Sequence, residues 1–163
     1  MRNFIAFLKI FIFVLFMYAV YLYYTRPEMI ITVDQFKKVA TENGYKVSAV
    51  RGTDAKIAFA ATNQYGIKVY YLGYENEEDA HNTYLKFVNK FDNKYSLKFH
   101  RDVRFRKSAA EMQTYYYQYK HYASIHAKNS VIYAETVTSN DKQLDKIFDA
   151  LYQPPKFNLK QIM

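Results

Sequence analysis

Six basic or imidazole side chains crowd one short stretch: Lys98, His100, Arg101, Arg104, Arg106 and Lys107. Read as a strand, Leu97, Phe99, Val103 and Phe105 take one face, and Lys98, His100, Arg104 and Arg106 take the other. Such a stripe can contact phosphate or carboxylate groups on a lipid headgroup, a cell-wall polymer or an acidic partner. The same pattern also suits a solvated face, or an edge strand whose charges block edge-to-edge pairing. Tyrosine is the second chemistry-bearing set, with 18 in the chain. Tyr115, Tyr116, Tyr117, Tyr119 and Tyr122 cluster, and Tyr70, Tyr71 and Tyr74 form a second group. Tyrosine faces can stack on a sugar or a peptide, and they also pack well in any sheet. Tyr116 and Tyr122 join the basic residues as candidate binding positions. Tyr116 is placed on a wetter face together with Gln118 and Lys120.

The remaining reactive types give weaker signals. The histidines are His81, His100, His121 and His126. His121 and His126 lie five apart, which points them oppositely on a strand, so no zinc pair is expected. Glu77, Glu78 and Asp79 suit the positive end of a helix dipole. Asp141, Asp145 and Asp149 recur every four residues and read as a solvated helix row. No acid and base pair is set apart as hydrolysis needs. There is no G-x-S-x-G elbow and no phosphate loop, and the four glycines leave little material for one. The chain has no cysteine, hence no disulfide, thiolate metal site or cysteine nucleophile. The expectation is a non-enzymatic domain without metal or cofactor.

The elements that must position these groups follow from periodicity and punctuation. Thr32 is placed to cap a helix, with Gln35 three residues on, and Gly44 to close it. Tyr45 to Val50 reads as a strand. AKIAFAA and GIKVYYLGY form a hairpin around 62–65. Asn76 caps a second helix whose apolar stripe is Ala80, Tyr84, Phe87, Val88 and Phe91. A strand over 97–105, a loop over 107–112 and one long Tyr-rich strand over 113–126 come next. Lys128 to Ser130 turn into a last strand, VIYAETVT. Asn140 caps a final helix with the stripe Leu144, Ile147, Phe148 and Leu151. The turn at Tyr65 precedes Asn76 by the same spacing as Asn129 precedes Asn140, which suggests two pseudo-duplicated hairpin-plus-helix units. The predicted class is α+β: an antiparallel sheet of about five or six strands with helices on one face.

The stretch Phe4 to Tyr24 is apolar apart from Lys9. As a helix it would measure roughly 32 Å, against a hydrocarbon core of about 30 Å. Lys9 can reach the headgroups on its long stem, and Tyr21, Tyr23 and Tyr24 suit an interfacial belt. No small-residue cleavage site follows the run. Residues 1–26 are therefore expected to be a single-pass anchor, 27–31 a connector, 32–153 the α+β domain and 154–163 a tail. Arg2 and Lys9 favour the N-terminus in the cytoplasm and the domain outside. Beyond the anchor region 20 Lys and Arg face 15 Asp and Glu, a balance of +5. The expected partners are the membrane and a protein in the membrane or envelope. Anionic lipid or polymer bound through the basic strand is one alternative, an enzyme with a dispersed site is another, and nucleic acid is not expected.

Overall fold

The computed structural model describes residues 2–24, 29–94, 103–104, 110–117 and 119–152. Two compact units are present. One contains the N-terminal helix, and the other spans Glu28–Pro155.

In the first unit, α1 runs from Arg2 to Tyr24, 23 residues. Its described side chains run from Leu8 to Tyr21 and are apolar or aromatic except Lys9. Within those described side chains, no helix is long and apolar enough to cross a membrane.

The second unit is an antiparallel sheet with helices packed on it. Its elements are α2 (Val33–Glu42), β1 (Lys46–Ala49), β2 (Ile57–Thr62), β3 (Lys68–Gly73), α3 (Glu77–Lys94), β4 (Val103–Arg104), β5 (Ala110–Tyr117), β6 (Lys120–Ala127), β7 (Ser130–Val137) and α4 (Asp141–Leu151). The strand order is β1-β2-β3-β7-β6-β5-β4. Six strands have four residues or more, and the two-residue β4 lies at one edge. Every neighbouring pair is antiparallel.

Helix ends follow local chemistry. The Thr32 side chain accepts from the Gln35 N–H at 3.2 Å. At the other end of α2, Gly44 takes φ +80°. The Gly44 N–H donates to Thr41 O and the Tyr45 N–H to Ala40 O, which together close a Schellman motif. Asn76 accepts from the Asp79 N–H at 2.8 Å and donates back to its carboxylate. Asn140 differs from expectation. It makes no side-chain cap bond, because Thr138–Asn140 forms a 3₁₀ turn that leads directly into α4.

The sheet is covered on both faces, which corrects the expected placement of all helices on one side. Phe36 and Ala40 of α2 and Leu144, Ile147, Phe148 and Leu151 of α4 pack on Val69, Tyr71, Ile125, Ile132 and Ala134. Ala80, Tyr84 and Val88 of α3 pack on Ala58, Leu72 and Val131. Adjacent residues of one strand, such as Tyr71 and Leu72, therefore serve opposite cores. The physical reason lies in the strands themselves: IAFAAT and VYYLG are apolar runs, and a strand buried on both faces reads as a run instead of an alternation. Met29 and Ile31, expected as connector, are 4 % and 1 % exposed and belong to the larger core.

Two further expectations are corrected in the second half of the chain. The single strand over 113–126 is two strands, β5 and β6, paired from Ala110↔Ala127 to Tyr117↔Lys120. The segment 110–112 is already strand instead of loop. The expected strand over 97–105 falls within the described residues only at Val103 and Arg104. In the strand order β3 and β7 pair at the centre with β2 and β6 outside them. The helices that follow the two hairpins, α3 and α4, cover opposite faces.

Candidate binding groove

Cross-strand registers arrange the α3-side face in rows. Leu72, Val131 and His126 form one row, and Val131 lies under α3 with Leu72. The next row is Tyr70, Tyr133 and Ser124. Beyond it come Lys68, Glu135 and Tyr122, then Val137 and Lys120. A cavity of about 560 Å³ opens over these outer rows. Tyr65, Lys68, Tyr70, Lys120, Tyr133 and Glu135 are among its lining residues. That volume lies within the range of ligand sites, about 300–1,000 Å³.

Rings and charges divide the groove. Tyr133 stacks on Tyr70 at 4.8 Å between centroids and on Phe87 of α3 at 4.3 Å. Burial pushes the Tyr133 phenol above its ordinary value, and Tyr70 and Tyr74 add to the shift. The hydroxyl therefore stays neutral and keeps both donor and acceptor capacity. Lys120 forms an ion pair with Glu135. The pair is about half exposed, at 39 % and 49 %, so its charges meet solvent across the cavity mouth. Lys68 stands directly across from Glu135 in the β3–β7 register.

The opposite face holds a second polar cluster, buried instead of open. His121 is fully buried on β6, and its ring stacks on Tyr116 at 4.1 Å. Its Nδ1 lies 3.1 Å from Asp141 Oδ1 and its Nε2 3.8 Å from Asp145 Oδ1. Burial holds the imidazole below its usual value, and the two carboxylates act against that shift. Two of the three aspartates expected as a solvated row thus edge a buried ring. The signal for this was available in the sequence: α4 places Asp141 and Asp145 one turn apart on a shared side.

His126 lies on the other face of β6, as the five-residue spacing requires. Its ring sits 5.2 Å from His81 and 5.7 Å from Tyr84. Burial lowers its pKa first, and the neighbouring His81 lowers it further. Among the described residues no three His, Asp or Glu side chains converge to hold a metal ion.

The residues expected to bind are placed as follows. Lys98, His100, Arg101, Arg106 and Lys107 lie outside the described residues. Arg104 pairs with Glu111 in the β4–β5 ladder. Tyr116 and Tyr122 do not come together. Tyr116 faces the α4 side against His121, which corrects its expected place on a wet face with Lys120. Tyr122 is 5 % exposed on the α3 side, across from Glu135. Sequence reasoning did not single out Lys68, Tyr133 or Glu135 as binding residues, because only the β3–β7 register brings Lys68 to Glu135 across so long a stretch of chain.

No protein-family model matches the chain, and no curated protein matches it. Among solved structures, the chain is similar to a GTP binding regulator from Thermotoga maritima. The two share 14 % identity and a TM-score of 0.44, over 74 % of this chain and 87 % of that one. Overlap this slight bears on neither fold nor ligand.

Proposed function

We propose that the protein is a membrane-tethered, non-enzymatic binding or accessory domain that contacts another membrane or envelope protein. Residues up to Tyr24 form the tether, with the N-terminus in the cytoplasm and the α+β domain outside. One observation carries the reading. From Ile10 to Met17 the side chains of α1 are all apolar and all 51–63 % exposed, so this stretch turns no polar side to water. A helix of that kind finds its solvent in lipid. At 1.5 Å per residue, its whole length comes to about 35 Å, enough for a hydrocarbon core of about 30 Å. Tethering confines the domain to a thin layer and raises its effective concentration toward neighbours in the same membrane. The groove contributes rings and an opposed charge pair, which suit recognition.

Fractionation tests the tether. The full chain is expected in the membrane pellet after alkaline carbonate washing, and residues 28–163 in the supernatant. Full-length, unprocessed chain in the aqueous fraction without detergent would overturn the reading. Protease added to intact cells is expected to digest the domain; protection of the domain would reverse the orientation.

A further inference from the structure

We infer that the His81–His126 contact is an acid-operated latch: protonation of the imidazole pair favours release of α3 from the sheet while the rest of the domain stays folded. The latch lies wholly within the α+β domain and does not depend on the tether. Its two rings come from elements far apart in the chain, His81 from the second turn of α3 and His126 from β6. Their centroids are 5.2 Å apart and their planes are inclined at 57°. Tyr84, one turn further along α3, lies 5.7 Å from the His126 ring. His126 is 3 % exposed, and its Nε2 is buried with no hydrogen-bond partner among the described residues. His81 is partly exposed, so solvent protons reach the pair from its side. Paired imidazoles at a packing contact are a known means of sensing mild acid.

The groups around His126 come from every element packed on it. On α3 they are His81, Tyr84 and, in the first turn, Glu77. On β5, Glu111 stands directly across from His126, and Arg104 of β4 stands across from Glu111. The Lys128 backbone bonds the ring from the β6–β7 turn. On β7 the residue opposite is the apolar Val131. Burial first and His81 second hold the imidazole below its ordinary value, and Glu111 and Glu77 act against that shift without reversing it. A proton on His126 therefore sits in a nearly closed site, and with both rings charged two like charges face each other across the contact. Moving α3 relieves this, because α3 is the lightly attached helix. Ala80, Tyr84 and Val88 hold it on Ala58, Leu72 and Val131. By contrast α4 buries Leu144, Ile147, Phe148 and Leu151 completely in the larger core. Elements with few buried apolar contacts open first. Phe87 leaves with α3, so the same event uncovers Tyr133 on the groove floor.

The chain has no cysteine, so a single introduced thiol reports its own position. The test uses the full chain in lipid nanodiscs carrying Val88→Cys, on the buried side of α3. Its reaction with dithiodipyridine is timed at pH 7.5 and pH 5.5, each rate divided by that of the same variant unfolded in urea at the same pH. An imidazole kept neutral in the closed state and titrating near 6.5 in the open state makes opening about tenfold more favourable at the lower pH. The normalised rate is therefore expected to rise about tenfold; a rise under about twofold would overturn the latch. Val69→Cys, on β3 in the larger core, is expected to stay at least about tenfold better protected than Val88→Cys at both pH values. Equal protection at the two positions would mean that α3 opens only with the whole domain. Adding His126→Phe, which keeps a ring of similar size, is expected to abolish the acid response. His81→Glu changes only a partly exposed helical position and puts a negative charge beside His126, so it is expected to shrink the response to about half or less. An undiminished response in His81→Glu would remove the imidazole contact from the account even if His126→Phe failed to fold. Retention of the sample in the nanodisc is read separately, so failure of the latch and failure of the tether are distinguishable.

Discussion

His121 sits within reach of Asp141 and Asp145, yet burial outweighs both and keeps the ring neutral in the folded state. Its unfolded reference is near 6.5. A folded pKa below that value means the stability contribution is fully present above about pH 6.5 and is lost as pH falls through the folded value. His126 has the same sign, from burial and from His81. The urea midpoint is therefore expected to fall between pH 7.5 and pH 5.5. His121→Asn should lower the midpoint at pH 7.5 and flatten its slope with pH; an unchanged slope would remove His121 from the account. A second residue tests backbone conformation. Lys128 begins the β6–β7 turn at φ +52°, where a side chain is disfavoured. Lys128→Gly is expected to raise stability by about 1 kcal/mol in chemical denaturation. Asn129 beside it should be left alone, since its side-chain amide donates to Tyr74 O at 3.1 Å, alongside the backbone bond from the Tyr74 N–H to the Asn129 backbone carbonyl.

Helix α2 shows how far element-level reading extends. Thr32, the apolar stripe and Gly44 were all legible, because capping and the positive-φ stop are local chemistry. Thr32→Ala is expected to cost about 1 kcal/mol, from loss of the acceptor for the Gln35 N–H. Gly44→Ala should cost about as much through backbone strain alone, since a Cβ there would meet nothing within 4 Å. Thermal melts of the two single variants check both. The β5–β6 hairpin was not legible in the same way. Tyr115, Tyr116, Tyr117, Tyr119 and Tyr122 all favour strand, and no glycine or proline interrupts them, so the turn near Tyr119 leaves no compositional mark. The pairing Tyr116↔His121 decides it, and pairing is tertiary information. Asn140 fails for a related reason. The residue type suits a cap, but the preceding 3₁₀ turn sets its backbone at φ −112°, ψ 12°, away from the extended geometry a cap uses.

Over the whole domain, the fold class was readable, and the distribution of helices over two faces was available but harder to see. The runs at 57–61 and 69–72 already lacked alternation, and that is the mark of strands covered on both sides. The groove was out of reach because its floor joins Lys68 and Tyr70 to Tyr133 and Glu135 through a ladder that no local pattern encodes. Residues 28–155 form a compact unit of their own. That fragment is expected to unfold cooperatively and to retain near-ultraviolet dichroism from its tyrosines; a broad transition without that signal would show that the domain needs α1.

The central β3–β7 ladder also orders events in time. β3 has no inner neighbour until residues more than sixty positions later have been made, and at about 5–20 residues per second that wait lasts roughly 3–12 s. Through this interval Val69 to Leu72 present an open, sticky edge. The chain therefore stays pliable in this region until β7 has been made. Both ladders of β7, with β3 and with β6, wait on the same late strand, so the cavity over Lys68, Tyr70, Tyr133 and Glu135 takes shape only when synthesis of the domain is nearly complete.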